Sequence, residues 1–301
     1  LAVSSVMVVY PNFVKGILGD DVAVSLFYTG VAVLTLLTYL SSTIIYQKFS
    51  RIRVANIAMS ISIGVYILLT IIASSTTLIS VEIVRVVSIA LIGMAISLFV
   101  RDLSQKRELG ANEGKLFLFD NMGFFAGPLL GGILATEFGF DAVFIHAAMF
   151  SGIAYFYFNR KCVNNEVRTF DRIKAKSKHL VENLVEFFHG VENRKSFFIK
   201  FALEYWWVTF YLYVPLYMAG LGYSGTLIGL VVGGAVIPLI LLEFHVGKDS
   251  DKKGYRNYLL LGYVILGGVL ALMGIADNPI MVIIFLVLLN FGIALIEPLQ
   301  D

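Results

Sequence analysis

Cysteine is nearly absent from this sequence, and charged residues are scarce. The single cysteine, Cys162, excludes an internal disulfide and any metal site built from several thiolates. Asp, Glu, Lys and Arg make up 15% of the residues, compared with about 25% in an ordinary soluble domain. Because 58% of the residues are hydrophobic and the mean hydropathy is +0.83, the composition excludes a typical soluble protein and indicates a membrane protein.

Patterns for metal ions, nucleotides and nucleic acid are also missing. The four histidines are scattered along the chain and lack metal-ligand spacing. Gly110, Gly114 and Lys115 stand too close together for a phosphate-binding Walker loop, and neither serine nor threonine follows Lys115. A formal net charge of +2 is too small to favour nucleic acid as a partner. We therefore predict no cofactor, no metal ion and no nucleic-acid partner.

Ten apolar stretches occupy most of the chain. At about 1.5 Å per residue, most of them are long enough to cross a hydrocarbon core of about 30 Å. The sequence therefore predicts an all-α polytopic membrane protein that lies in the lipid bilayer. The stretches cover approximately residues 1–14, 22–46, 54–72, 81–98, 116–135, 142–158, 196–218, 227–245, 258–275 and 279–295.

Positive charge falls in every second gap between these stretches. Twenty of the 23 lysines and arginines lie in or beside the loops 47–53, 101–115, 159–195 and 247–257, whereas the other gaps hold Lys15 alone. Only Arg85 and Lys200 remain, and both lie within apolar stretches. The positive-inside rule places the four basic loops in the cytoplasm, so we expect a multi-pass protein of the cytoplasmic membrane.

An internal repeat divides the chain into two halves. Two separate groups of residues recur with one offset of 204 positions, which suggests duplicated bundles of helices. The alternative is that proline and glycine mark helix ends by chance. We expect an N-terminal six-helix bundle over residues 1–160, a cytoplasmic linker over 161–195 and helices seven to ten of a second bundle over 196–301. The repeated residues are Pro11, Phe13 and Gly16 with Pro215, Tyr217 and Gly220, and Lys48 and Ser50 with Lys252 and Gly254.

The linker carries a short amphipathic pattern. Leu180, Leu184, Phe187 and Phe188 follow the spacing of one helix face, and several lysines and arginines precede them. This pattern predicts a helix that lies on the cytoplasmic surface of the membrane.

The fifth stretch contains the most specific motif. Glycines that recur every four residues lie on one face of a helix and allow a neighbouring backbone to come close. A proline inside the helix removes a backbone donor and favours a kink or hinge. The motif consists of Gly114, Gly123, Gly127, Pro128, Gly131 and Gly132.

This run resembles the helix-five motif of the major facilitator superfamily, in the version associated with proton-coupled drug efflux. The loop that contains Gly247, Asp251, Lys252, Gly254 and Arg256 resembles a second motif of that family. The resemblance implies two six-helix bundles and secondary transport by alternating access. It also implies that the chain lacks the start of helix one and helices eleven and twelve.

Two other segments match the family less closely. We expect the loop with Lys48 and Arg51 to take part in cytoplasmic gating, like the later loop. In this loop, Gln47 replaces the acidic residue of the family motif. Arg85 resembles the arginine of the family's R-x-x-Q-G motif, but Ser88 and Ile89 occupy the next two fixed positions.

Ionisable residues inside the stretches are candidates for coupling, because placing one at the bilayer centre costs about 2.5–3.5 kcal/mol. Glu82 and Arg85 are three residues apart and can pair. Asp120 shares the glycine face of the fifth stretch, whereas Glu204 has Lys200 one turn away. For each of them the alternative is a structural ion pair or a charge at the membrane interface.

Candidates for the substrate cavity are Asn121, Trp207 and Tyr211. Aromatic rings such as the last two can stack on a planar or cationic ligand, although ordinary packing explains most aromatic clusters.

From these features we expect a monomeric transporter that couples a small-molecule substrate to protons or another ion and exports amphipathic or drug-like compounds. The alternative within transport is uptake of a sugar, a peptide or an organic ion. A membrane-embedded enzyme is a distant alternative, because the sequence shows no convergent nucleophile, acid pair or metal cluster.

Overall fold

The computed structural model describes residues 1–104, 109–162 and 180–299. The N-terminal helices are α1 (Ala2–Met7), α2 (Tyr10–Leu18), α3 (Asp21–Lys48), α4 (Arg51–Leu69), α5 (Ser75–Leu103), α6 (Leu109–Phe138) and α7 (Phe140–Cys162). The C-terminal helices are α8 (Leu180–His189), α9 (Val191–Gly220), α10 (Gly225–Gly234), α11 (Ile237–Lys253), α12 (Arg256–Gly274) and α13 (Pro279–Ile296), which continues into a 3-10 turn over Glu297–Leu299.

Two apolar stretches are broken where the sequence suggests one helix each. The first stretch divides into α1 and α2, and the eighth divides into α10 and α11. Pro11 and Pro238 lie at the starts of α2 and α11. Because proline has no backbone N–H, each one removes a hydrogen bond to the carbonyl four residues earlier, so the helix breaks before it.

Eight helical segments of the described residues are long and apolar enough to cross a membrane. The sequence predicts ten membrane-crossing stretches, two more than these eight segments. The first stretch drops out because its two helices have only six and nine residues. The helix α9 has 30 residues, but its mean hydropathy is lower, because charged residues lie in its first half and several tyrosines and two tryptophans lie in its second half.

The helices pack in two groups. Among the N-terminal helices, α4 packs against α5 and α7, α3 packs against α5, and α1 packs against α6 and α7. Among the C-terminal helices, α13 packs against α11 and α12. The two groups meet where α6 contacts α10 and α11 and where α2 contacts α9. The helix α6 therefore belongs to the first group and forms most of the contact with the second.

The helix ends define two faces of the molecule. Lys48 ends α3, Arg51 begins α4, and Arg256 begins α12; we call this side the basic face. Asp20, whose carboxylate accepts from the backbone N–H of Ala23 at 2.8 Å, caps the start of α3 on the other side, which we call the opposite face.

The amphipathic pattern of the linker forms α8. Its Phe188 packs edge-on against Phe197 of α9, with ring centroids 5.1 Å apart. The lysines and arginines before Leu180, and most of the linker, lie outside the described residues, and so do the side chains of Leu180 and Leu184.

Candidate functional site

The glycines of the fifth stretch lie against α1. The Ser4 hydroxyl donates to the backbone carbonyl of Gly123 at 2.8 Å. A Cβ added to Gly127 would lie 2.7 Å from the Ser4 Cβ and 2.9 Å from the Ser5 nitrogen. A Cβ added to Gly131 would overlap the Ser5 backbone. Only glycine therefore lets α6 and α1 approach this closely.

The neighbouring face of α6 lies against α10 in the same way. A Cβ at Gly132 would overlap the backbone of Gly225, and one at Gly229 would overlap the carbonyl of Pro128. Gly225, Gly229 and Gly233 recur every four residues along α10, a spacing that the sequence analysis missed although it is the same signal as in α6. The helix α6 continues through Pro128. The two groups of helices thus meet backbone to backbone.

Hydrogen bonds add to this contact toward the opposite face. The Thr226 N–H donates to the Thr136 hydroxyl at 2.9 Å, and the Asn12 amide donates to the Pro215 carbonyl at 3.3 Å. The hydroxyls of Ser25 and Tyr213 are 3.1 Å apart. Each pair joins an N-terminal helix to a C-terminal one, so the two groups are closed together on this side.

A polar pair formed by a buried amide and a partly buried carboxylate lies further along the same contact, toward the basic face. The Asn121 amide of α6 donates to a carboxylate oxygen of Glu243 of α11 at 2.7 Å. Asn121 is 8% exposed, and the other oxygen of Glu243 is buried with no hydrogen-bond partner among the described residues. Sequence reasoning selected Asn121 but missed Glu243, the only acidic residue within the eighth stretch.

The other two carboxylates singled out in the sequence, Asp120 and Glu204, lie in different surroundings. Both are exposed. Within the described part of the chain, Asp120 makes no side-chain hydrogen bond or salt bridge. Glu204 lies near Tyr39 of α3 and interacts with it electrostatically. The structure therefore does not bring Asp120, Arg85 and Glu204 together into one site.

Aromatic residues of α9 face α6 next to the polar pair. Tyr211 is 8% exposed, and its ring centroid lies 5.7 Å from that of Phe124, one turn along α6 from Asn121. Trp207 stacks on Tyr211 with centroids 5.5 Å apart and planes at 20°. The predicted cavity residues Asn121, Tyr211 and Trp207 thus lie in one region between the two groups.

A second buried cluster lies within the N-terminal helices. Glu82 of α5 accepts from the Arg85 guanidinium at 2.6 and 2.7 Å and from the Tyr10 hydroxyl at 2.5 Å. The guanidinium also lies 4.4 Å from the centroid of the Tyr10 ring, and Tyr66 is buried beside it. The charge of Glu82 is matched by a cation, which makes this a closed ion pair that ties α2 to α5.

The basic loops contain two further ionic contacts. Arg51 forms an ion pair with Asp102 at the end of α5. The loop of Arg51 has Gln47 in place of the acidic residue of the family motif, and an acid from another helix therefore pairs with this loop. In the later loop, Asp249 accepts from Tyr258 and from Lys253, and the hydrogen bond to Asp249 raises the pKa of Lys253.

The structure describes the remaining predicted loop and motif residues to different extents. Gly254 ends α11 with a φ of 83°, and Gly247 lies close to Pro298. The side chains of Asp251 and Lys252, and the surroundings of Gly114, lie outside the described residues.

Two groups of helices of membrane-crossing length, joined at one face and with a partly buried carboxylate between them, are typical of a polytopic membrane protein of the transporter class. The chain matches the family model of the Major Facilitator Superfamily over residues 1–300 and belongs to that superfamily. The predicted family and fold class are therefore confirmed, and the protein is a multi-pass secondary transporter with a small-molecule substrate.

Solved structures agree with this fold. The chain is similar to the peptide transporter POT in complex with sulfate, with 13% identity and a TM-score of 0.63. It is also similar to a mutant of that transporter in complex with alafosfalin, with 14% identity and a TM-score of 0.64. Each alignment covers 99% of this chain and 77% of the other. Comparison with curated proteins gives no match.

Proposed function

We propose that this protein exports amphipathic compounds in exchange for protons by alternating access. The observation that carries the proposal is the contact of α6 with α10, in which Gly132, Gly225 and Gly229 bring the backbones of the two groups together. Flat glycine surfaces are held by van der Waals packing and weak polar contacts. Such a contact can open and close without separating buried charges.

The hydrogen bonds of this contact have a total energy that suits a switch between two states. Three hydrogen bonds reinforce the glycine surface toward the opposite face, and each contributes about 1 kcal/mol net. Their sum is a few kcal/mol, which is the usual difference between the conformations of a two-state protein. Binding of a substrate or a proton supplies energy of that size.

The direction and the substrate class are supported by the resemblance of the Gly114 to Gly132 run to the motif of proton-coupled exporters. The region of Trp207, Tyr211 and Phe124 supports an aromatic or amphipathic substrate, since these rings offer faces for stacking. Uptake of a peptide, a sugar or an organic ion is the alternative.

Transport by membrane vesicles tests the direction and the coupling. In inside-out vesicles that contain the whole protein and are acidic inside, ethidium should accumulate, and nigericin, which collapses the proton gradient, should release it. Vesicles without the protein are the control. Proton-driven uptake of dialanine by right-side-out vesicles, with no effect on ethidium, would contradict export and support the alternative.

Thiol labelling tests the proposed orientation, in which the basic face is cytoplasmic. In a Cys162→Ser background, single cysteines at Ser75 and Asp277, which are exposed near the opposite face, should react in intact cells with a membrane-impermeant maleimide. Cysteines at Phe49 and Tyr255, exposed at the basic face, should react only after the membrane is permeabilised. The reverse pattern would invert the topology.

A further inference from the structure

The Asn121–Glu243 pair is a place where an ionisable side chain of the C-terminal helices meets a buried amide of the N-terminal helices. The donor and acceptor atoms are 2.7 Å apart. One oxygen of Glu243 is held by Asn121, and the other is buried with no hydrogen-bond partner among the described residues. The carboxylate is therefore only half satisfied.

The charged groups around Glu243 do not balance it. On α6, Asp120 and Lys115 are exposed; on α11 itself, His245 and Lys248 are exposed; and α13 contains no ionisable residue. The 3-10 turn that packs against α11 contributes Glu297, another acid. Within the described part of the chain, no salt bridge to Glu243 is present. Glu82, in contrast, has both of its oxygens on Arg85.

This difference distinguishes the partly buried Glu243 from the buried Glu82. A carboxylate with a buried oxygen that carries a charge without a cation or a second donor is costly, whereas the neutral carboxyl with one hydrogen bond costs much less. The closed contact between α6 and α11 thus suits the protonated form of Glu243. When the two helices separate and water enters, the ionised form is solvated and the proton can leave.

We propose that Glu243 binds and releases the coupling proton and that Asn121 holds its carboxyl group while α6 and α11 are in contact. This inference rests on the proposed proton-coupled transport and names its site. The proton comes from water on one side of the membrane, forms an O–H bond at the free oxygen of Glu243, and returns to water on the other side. No other covalent bond changes, and the Asn121 amide donates to the second oxygen for as long as α6 and α11 are in contact.

Infrared spectroscopy tests the titration without a substrate. A pH-difference spectrum of the purified whole protein in nanodiscs should contain the carbonyl band of a protonated carboxyl group. The band should be lost in Glu243→Gln and kept, at a shifted frequency, in Asn121→Leu, which removes the amide donor. It should stay unchanged in Asp277→Asn, the matched control on an exposed loop. A parental carboxyl spectrum in Glu243→Gln would overturn the proposal.

Transport assays test the coupling. Glu243→Gln keeps the size and the hydrogen bonding of the side chain, so counterflow exchange of ethidium between equal concentrations should persist while accumulation driven by the proton gradient is lost. Glu243→Asp, which restores a titrating group, should recover part of the accumulation. Loss of accumulation in Asp120→Asn together with parental accumulation in Glu243→Gln would assign the proton to Asp120 instead.

The two proposals fail in different ways. If the parent protein moves no ethidium in response to a proton gradient but the carboxyl band still disappears in Glu243→Gln, the titration stands and the proposed export is wrong. If the parent accumulates ethidium and Glu243→Gln does so equally well, export stands and the assignment to Glu243 is wrong.

Discussion

Glu82→Gln should strongly destabilise the protein, because it leaves the Arg85 guanidinium buried without its carboxylate. The two side chains are only 3% and 13% exposed. Removing one partner of a buried ion pair costs about 3–5 kcal/mol. Thermal unfolding of the detergent-purified protein, followed by tryptophan fluorescence, should therefore show a markedly lower midpoint and a reduced yield of monodisperse protein.

An exposed pair of the same spacing provides the control. Glu192 and Lys195 are also three residues apart, but their side chains are 84% and 62% exposed. Glu192→Gln should leave the midpoint nearly unchanged, since surface ion pairs contribute about 0–1 kcal/mol. The double variant Glu82→Gln/Arg85→Gln should recover part of the lost stability because no buried charge remains unpaired. A parental midpoint for Glu82→Gln would show that the cluster is not structural.

Gly132→Leu should abolish transport while the protein is still inserted in the membrane. A Cβ at this position would already lie 2.9 Å from the backbone carbon of Gly225 and 3.1 Å from the Cα of Gly229. The larger side chain therefore keeps α6 and α10 apart, and the closed state at the opposite face cannot form. Gly152→Leu on α7 is the matched control, because nothing lies within 4 Å of an added Cβ there.

Cross-linking distinguishes this effect from general misfolding. Thr136→Cys and Thr226→Cys, introduced together in a Cys162→Ser background, replace two residues joined across the contact. Mild oxidation should link them in the parent and in Gly152→Leu but not in Gly132→Leu. Efficient cross-linking together with normal ethidium transport in Gly132→Leu would mean that close approach of the two backbones is unnecessary.

The sequence predicts the parts of this fold that depend on local patterns. Apolar length and the bias of Lys and Arg predict the helices, and the spacing of Gly123, Gly127 and Gly131 predicts a close neighbour for α6. Pro11 and Pro238 are local signals for the two broken helices. Both stretches are hydrophobic throughout, so their hydropathy alone predicts one continuous helix each. Hydropathy averages over a window, whereas a helix breaks at the single residue that lacks an N–H.

The candidate site depends on contacts that no local pattern contains. Tyr10 reaches Glu82 across 72 positions, and Asn121 reaches Glu243 across 122. Glu243 stands near the end of an apolar stretch, where an acid usually marks the membrane surface. It is partly buried because α11 packs against α6, α13 and the 3-10 turn. Partners of this kind follow from helix packing and could not be predicted from spacing in one chain.

The break between α10 and α11 allows α11 to tilt while α10 stays packed against α6. Gly225, Gly229 and Gly233 anchor α10 on α6, while Glu243 lies on the far side of the break at Ala235 and Val236. Glu243 lies seven residues after Val236, so about 10 Å of helix separates it from the break. A tilt of α11 by about 10° would swing the carboxylate by about 2 Å over that length, enough to break its 2.7 Å hydrogen bond to Asn121. The proposed proton site would then be exposed to water while the glycine surfaces remain together, so that release of the proton would precede the opening of the opposite face.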